Sequence, residues 1–157
     1  MKIDVCPKPI NTLEPSDILF QTSYWGKVKA RLGWKPVAFD FHSSTGQQGD
    51  VMLLIRPLGS GLAAACVPQG PEWGPAPEHY GLFLEALSQE IGKHIDSKVA
   101  FIRYDLPWLS PYAVEEEADG RPWPGHPAPQ LRELRMNMGT RTWNLRKASL
   151  SWAALNP

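Results

Sequence analysis

Proline placement constrains this chain more than any other feature. Sixteen prolines occur in 157 residues, and they gather at 68–77 and again at 107–129. Each removes a backbone donor and fixes φ, so both stretches are poorly suited to helix interiors and central strands. That argues against an all-helical bundle and for short elements joined by long ordered loops. A chain of 157 residues fits one domain, with a core covering roughly two-thirds of its unfolded surface. The expectation is a single domain over 1–157, with an irregular lead-in over 1–17 and a proline-rich loop over 106–130.

Between the prolines the apolar spacing sets the elements. The stretch Phe20 to Pro36, FQTSYWGKVKARLGWKP, reads as a short helix. Thr22 and Ser23 can accept its first free amide protons, and Gly33 tolerates a left-handed turn after it. At helical spacing Trp25, Val28 and Leu32 form one apolar stripe, with Lys27 and Arg31 opposite. Lys29 stands about 40° from Trp25. There its stem can cover the indole while its ammonium stays in water, or the ammonium can point into a groove.

Val37, Phe39 and Phe41 alternate with polar or small residues, as in a strand with one buried face. Val51–Ile55 is continuously apolar, as in a strand covered on both faces, and Leu62–Val67 supplies a third. Tyr80, Leu84, Leu87 and Ile91 place an amphipathic helix over Glu78–His94. Val99–Tyr104 then reads as a crossover strand returning to the same sheet. A short helix over Leu131–Met136 and a final strand over Thr140–Leu145 follow, with no assignment for the last twelve residues. The fold class is therefore α+β, a mixed, largely antiparallel sheet flanked by helices.

Charge and composition exclude several function classes. Lys+Arg and Asp+Glu both number 16, so the whole-molecule field does not favour a polyanion as main partner. MKIDVCPKPI lacks the apolar core of a secretory signal, and no run reaches the ~20 apolar residues of a membrane span, so a cytoplasmic location is expected. Cys6 and Cys66 read as two free thiols. The histidines at 42, 79, 94 and 126 lack metal-ligand spacing, and no serine sits in a nucleophile elbow, so no metal or cofactor is expected. The acidic run Glu115–Glu117 reads as a solvated loop tip. Trp73, Trp108 and Trp123 fall in loops, where they either line a groove or pack with prolines in a small core.

Two constellations remain. Arg103, Tyr104 and Asp105 emerge together where a strand meets its loop, either as a ligand-facing group or as an Arg103–Asp105 pair closing the strand. Arg56-Pro57-Leu58-Gly59-Ser60-Gly61 matches the Arg-x-x-Gly-x-Gly loop that holds the pyrophosphate of acetyl-coenzyme A in N-acetyltransferases. That loop needs a helix amino terminus behind it, and Pro68 leaves little room for one.

The order apolar-Phe-Gln-(Ser/Thr)-x-x-Trp-x-x-x-Lys-x-x-x-Gly-Trp-x-Pro is carried by Phe20, Gln21, Trp25, Lys29, Gly33, Trp34 and Pro36. It resembles the opening of the Fem family (FemA, FemB, FemX), non-ribosomal peptidyl transferases of peptidoglycan-bridge synthesis. Val67-Pro68-Gln69-Gly70-Pro71 is similar to a further family motif, with Gln69 where arginine is usual. Arg103-Tyr104-Asp105 is similar to a third, with Leu106 inserted before Pro107.

The resemblance implies an N-acetyltransferase-like domain matching only the first of the family's two halves. It implies transfer of an amino acid from aminoacyl-tRNA to the stem peptide of a nucleotide- or lipid-linked muropeptide precursor. The precursor would be bound by Lys29 and Trp25, with Arg103, Tyr104 and Asp105. Aminoacyl-tRNA would be held through the missing second half, with peripheral contact at the inner membrane face. The alternatives are a non-catalytic relic or binding domain, and a small-molecule N-acetyltransferase using acetyl-coenzyme A.

Overall fold

The computed structural model describes residues 1–109 and 149–155. In chain order the elements are β1 (Ile3–Lys8), α1 (Ser23–Arg31), β2 (Lys35–Ser43), β3 (Gln48–Gly59), β4 (Leu62–Val67), α2 (Tyr80–Gly92), β5 (Val99–Leu109) and β6 (Ser149–Leu155). Six strands form one sheet in the order of the sequence. Neighbours are antiparallel except β4 and β5, which run parallel across the α2 crossover. The chain is thus α+β, with a mixed, largely antiparallel sheet flanked by helices.

The continuous apolar run of β3 has the predicted cause. Val51, Leu53 and Ile55 enter the core cluster under α2, beside Phe39, Phe41, Val67, Leu84 and Leu87. Met52 and Leu54 are buried on the opposite face, toward α1. Residues of both parities are therefore out of water. At roughly 25 cal/mol per Å² of apolar surface, this two-sided packing is the main favourable contribution to the fold.

Helix α1 starts as its sequence predicts, with the Trp25 N–H donating to Thr22 Oγ1 at 3.3 Å, and Gly33 has φ of 82° just beyond its end. Its buried side does not follow the expected apolar stripe. Leu32 is 68% exposed, and the buried residue of α1 is Gly26. A Cβ added there would stand 2.9 Å from Met52 Sδ. The helix backbone approaches the sheet through its glycine, a contact that apolar spacing cannot register.

The irregular lead-in expected over 1–17 contains β1. An edge strand accepts a proline such as Pro7 when the missing N–H faces outward. The Ser44 N–H donates to the Lys2 carbonyl at 2.9 Å, which turns even-numbered residues of β1 toward β2 and Pro7 away from it. Strand β5 runs on to Leu109, so Leu106 to Leu109 belong to the sheet and not to the expected loop. Part of the unassigned carboxyl terminus is β6, whose Leu155 pairs with Phe101. The expected helix at 131–136, the strand at 140–145 and the rest of the 106–130 loop lie outside the described residues. Among the described residues no helix is long and apolar enough to cross a membrane.

Candidate functional site

The sheet face that carries α1 is covered unevenly. Helix α1 packs on β2 and β3, while Ala64, Cys66, Phe101 and Asp105 of β4 and β5 are only partly buried and Arg103 is exposed. Gln21 fixes where α1 begins. Its buried amide accepts the Met52 N–H at 2.8 Å and donates to the Pro68 carbonyl at 2.6 Å. One side chain thus ties the helix entry to β3 and to the end of β4. Gly70 packs so closely on this amide that a Cβ there would meet Gln21 Nε2 at 2.5 Å.

Lys29 projects from the open edge of α1. Its Nζ lies 4.9 Å from the Trp25 ring centroid and 5.3 Å from that of Trp34, and the Arg56 guanidinium lies 5.4 Å from the Trp34 ring. Each such contact contributes about 0.5–1 kcal/mol at an exposed site. Among the described residues no carboxylate lies within ion-pairing distance of Lys29 or Arg56. Trp25 is held edge-on by Phe20 at 4.9 Å, and its indole N–H is buried without a hydrogen-bond partner among the described residues. Among the described residues, two cations without a carboxylate partner and an unmet donor therefore share one aromatic edge.

Across the same face, Cys66 pairs in register with Arg103. Arg103 donates to Asp105 Oδ1 from Nε at 3.0 Å and from a terminal nitrogen at 2.8 Å. The Cys66 thiol donates weakly to Asp105 Oδ2 at 3.7 Å. Burial, then the Asp105 carboxylate, pushes the thiol up to about 11, while Arg103 and Lys29 act in the lowering direction. Cys66 is therefore a neutral thiol near pH 7, not a nucleophile. Lys29 is the smallest of these influences, so the α1 edge bears on the β4–β5 surface only weakly.

Tyr104 does not join them. It alternates to the core face, is fully buried, and its hydroxyl lies 3.0 Å from Ser88 Oγ on α2. Burial raises its pKa. Expected as a precursor contact, it is a core residue, because consecutive strand residues point to opposite faces. Of the predicted site residues, the structure gathers Trp25, Lys29, Arg103 and Asp105 on one face.

Arg56-Pro57-Leu58-Gly59-Ser60-Gly61 closes β3 and turns into β4. No helix amino terminus follows it, so the setting for a pyrophosphate loop is absent there. Among the described tryptophans, Trp108 packs on Tyr80 at 4.7 Å and donates to the Glu72 carbonyl, whereas Trp73 is exposed. Cys6 and Cys66 are both free thiols.

A second concavity, of about 530 Å³, opens at the other end of the sheet. Glu14, Asp40, Asp50 and Glu72 line it together with Lys8 and His42. Lys8 donates to both oxygens of Asp50, at 2.8 and 2.7 Å, and Asp50 also accepts the Glu14 N–H. Asp40 is the direct cross-strand neighbour of Asp50. Among the described residues no group of three His, Cys, Asp or Glu is placed to hold a metal ion. Sequence reasoning missed this cleft, since Lys8 and Asp50 are far apart in the chain. It also missed the pairing of Arg56 with Trp34, for which strand register would have been needed.

No protein-family model matches the chain, and no curated protein matches it.

Proposed function

We propose that this chain is the precursor-binding half of a Fem-type non-ribosomal peptidyl transferase, working in the cytoplasm on a nucleotide- or lipid-linked muropeptide. The observation that carries the reading is Lys29, a cation held over Trp25 and Trp34 with no carboxylate among the described residues to neutralise it. A pyrophosphate supplies the missing charge, and a compact ammonium suits it as a point contact. Arg56, on the same Trp34 ring, offers a second cation.

Asp105 is fixed from both sides, by Arg103 and by the Cys66 thiol, and presents an oriented acceptor to the stem peptide's amine. In the reaction that amine attacks the carbonyl of the aminoacyl ester, forming an amide and releasing the tRNA hydroxyl. No covalent enzyme intermediate is needed, and the gain comes from holding the two reactants in place. A second half, on the same polypeptide or another, holds the aminoacyl-tRNA.

Calorimetric titration with uridine-diphosphate-linked muramyl pentapeptide tests the reading. Lys29→Ala is expected to weaken binding at least tenfold, about 1.4 kcal/mol, the loss of one charged hydrogen bond to phosphate. Equal affinity in the two proteins removes Lys29 from the site. No binding by folded wild-type chain leaves the non-catalytic relic as the better reading.

A further inference from the structure

The acidic cleft is walled without Trp25, Lys29, Arg103 or Asp105. Four carboxylates line it, those of Glu14, Asp40, Asp50 and Glu72, against the single ammonium of Lys8, so three are in excess. That ammonium is committed to both oxygens of Asp50, at 2.8 and 2.7 Å. The carboxylates of Glu14, Asp40 and Glu72 have neither a hydrogen bond nor an ion pair among the described residues. Asp40 and Glu72 are also partly withdrawn from water, and Asp40 stands directly across from Asp50. A half-desolvated carboxylate facing a like charge costs free energy that nothing within the described fold returns.

One wall of the cleft is aromatic. Trp73 lines it and is 65% exposed. Trp108 from β5 is packed on Tyr80 and Phe83, whereas Trp73 meets no other ring among the described residues. Its Cδ1 stands 3.8 Å from where a Cβ on Gly49 would be, so the indole edge lies beside a stretch of β3 that carries no side chain. A tryptophan left this open adds little to the core. Its ring is available to a ligand entering the cleft.

An open indole and excess carboxylates around one concavity are complementary to an organic cation. We infer that the cleft binds an alkylammonium group, carried by a lysine side chain of a peptide or by a free diamine. Asp40 and Glu72 meet its charge, and Trp73 takes its methylenes and the adjoining cation against the ring. Lys8, bound by Asp50 in this same cleft, is an example of such a group supplied by the chain itself. A metal ion suits the site less, because among the described residues no three ligating side chains converge. The register gathers exposed Lys35, Arg56 and Lys98 at the opposite end of the sheet, through Lys35↔Ile55, Gly59↔Leu62 and Ala63↔Val99. The field along the molecule therefore draws a cation toward the cleft and an anion away from it. This binding does not depend on the precursor proposed for Lys29.

Calorimetric titration of the full chain with three probes tests it: cadaverine, an end-blocked alanine-lysine-alanine peptide, and the same peptide with norleucine in place of lysine. Wild type is expected to bind at least one of the two amines with a Kd below about 1 mM, to bind it more weakly as salt rises, and to ignore the norleucine peptide. Tighter binding of the lysine peptide identifies the occupant as a peptide side chain, and tighter binding of cadaverine as a free diamine. Trp73→Ala and Asp40→Asn should each weaken amine binding about fivefold or more with an unchanged circular dichroism spectrum. Asp40→Asn relieves the opposition to Asp50, so its stability in urea should equal or exceed wild type, and it carries the test if Trp73→Ala misfolds. Absence of binding by wild type to both amines at about 10 mM overturns the proposal. So does wild-type affinity in either folded variant, or equal binding of the norleucine peptide.

Discussion

The two ends of the sheet treat a lysine in opposite ways. At the acidic end, Lys8 is held by both oxygens of Asp50, and the pair is mostly buried, with side chains 19% and 13% exposed. At the basic end, Lys29 rests on two indole rings and meets no carboxylate among the described residues. A charge neutralised within the chain is spent on structure, whereas one held in place without a counter-ion remains for a ligand. The comparison gives Lys8 a stabilising role and leaves Lys29 to the binding role proposed for it, a division that substitution can break.

The largest effect is expected where the two regions are tied together. Gln21→Ala orphans the Met52 N–H and the Pro68 carbonyl and should cost about 3 kcal/mol in urea unfolding. It should also weaken precursor binding, because the seat of α1 is lost. Stability within 1 kcal/mol of wild type would show that α1 is seated by something else.

Next comes the acidic end. Lys8→Ala leaves Asp40 and Asp50 directly opposed and uncompensated, an expected loss of about 2 kcal/mol after allowance for partial exposure. Asp50→Asn should cost less, since the amide oxygen of asparagine can still accept from Lys8 Nζ. Neither should change precursor affinity; a change of fivefold or more in calorimetry would join the two ends into one site.

Tyr104→Phe separates the two faces. Removing the hydroxyl from Ser88 should cost about 1 kcal/mol in thermal unfolding and leave precursor titration unaltered. A matching loss of affinity would return Tyr104 to the ligand.

The smallest effect reads the field at Cys66. Its thiol rises from an ordinary 9.0 to about 11, so between those pH values the native state keeps a proton that the unfolded chain has lost. Stability therefore falls as pH rises through that window, and Cys66→Ala should show a shallower fall. In a Cys6→Ser background, alkylation of Cys66 should follow its raised pKa, and Lys29→Ala should move the profile higher still because Lys29 lowers it. An unmoved profile would place Lys29 too far from β4 to share a site.

Much of this was legible in the chain because it is local. Thr22 and Gly33 bound α1, the unbroken apolar run of β3 announces burial on both faces, and the 4-3-4 apolar steps of α2 mark its core side. Lys29 beside Trp25 follows from helical geometry alone. Other features were not local. Pro7 argues against a strand until β2 is known to lie on its other side, and Tyr104 sits between two residues proposed for the site yet belongs to the core.

Composition, propensity and periodicity thus determined the class of the fold, its main helices and the cation at the edge of the first. Tertiary structure alone decided that Gly26 seats that helix, that Arg56 crosses to Trp34, that Lys8 finds Asp50, and that charge separates to the two sheet ends. The reason is physical: periodicity reports which side of an element avoids water, but only strand register decides which distant residues share that side.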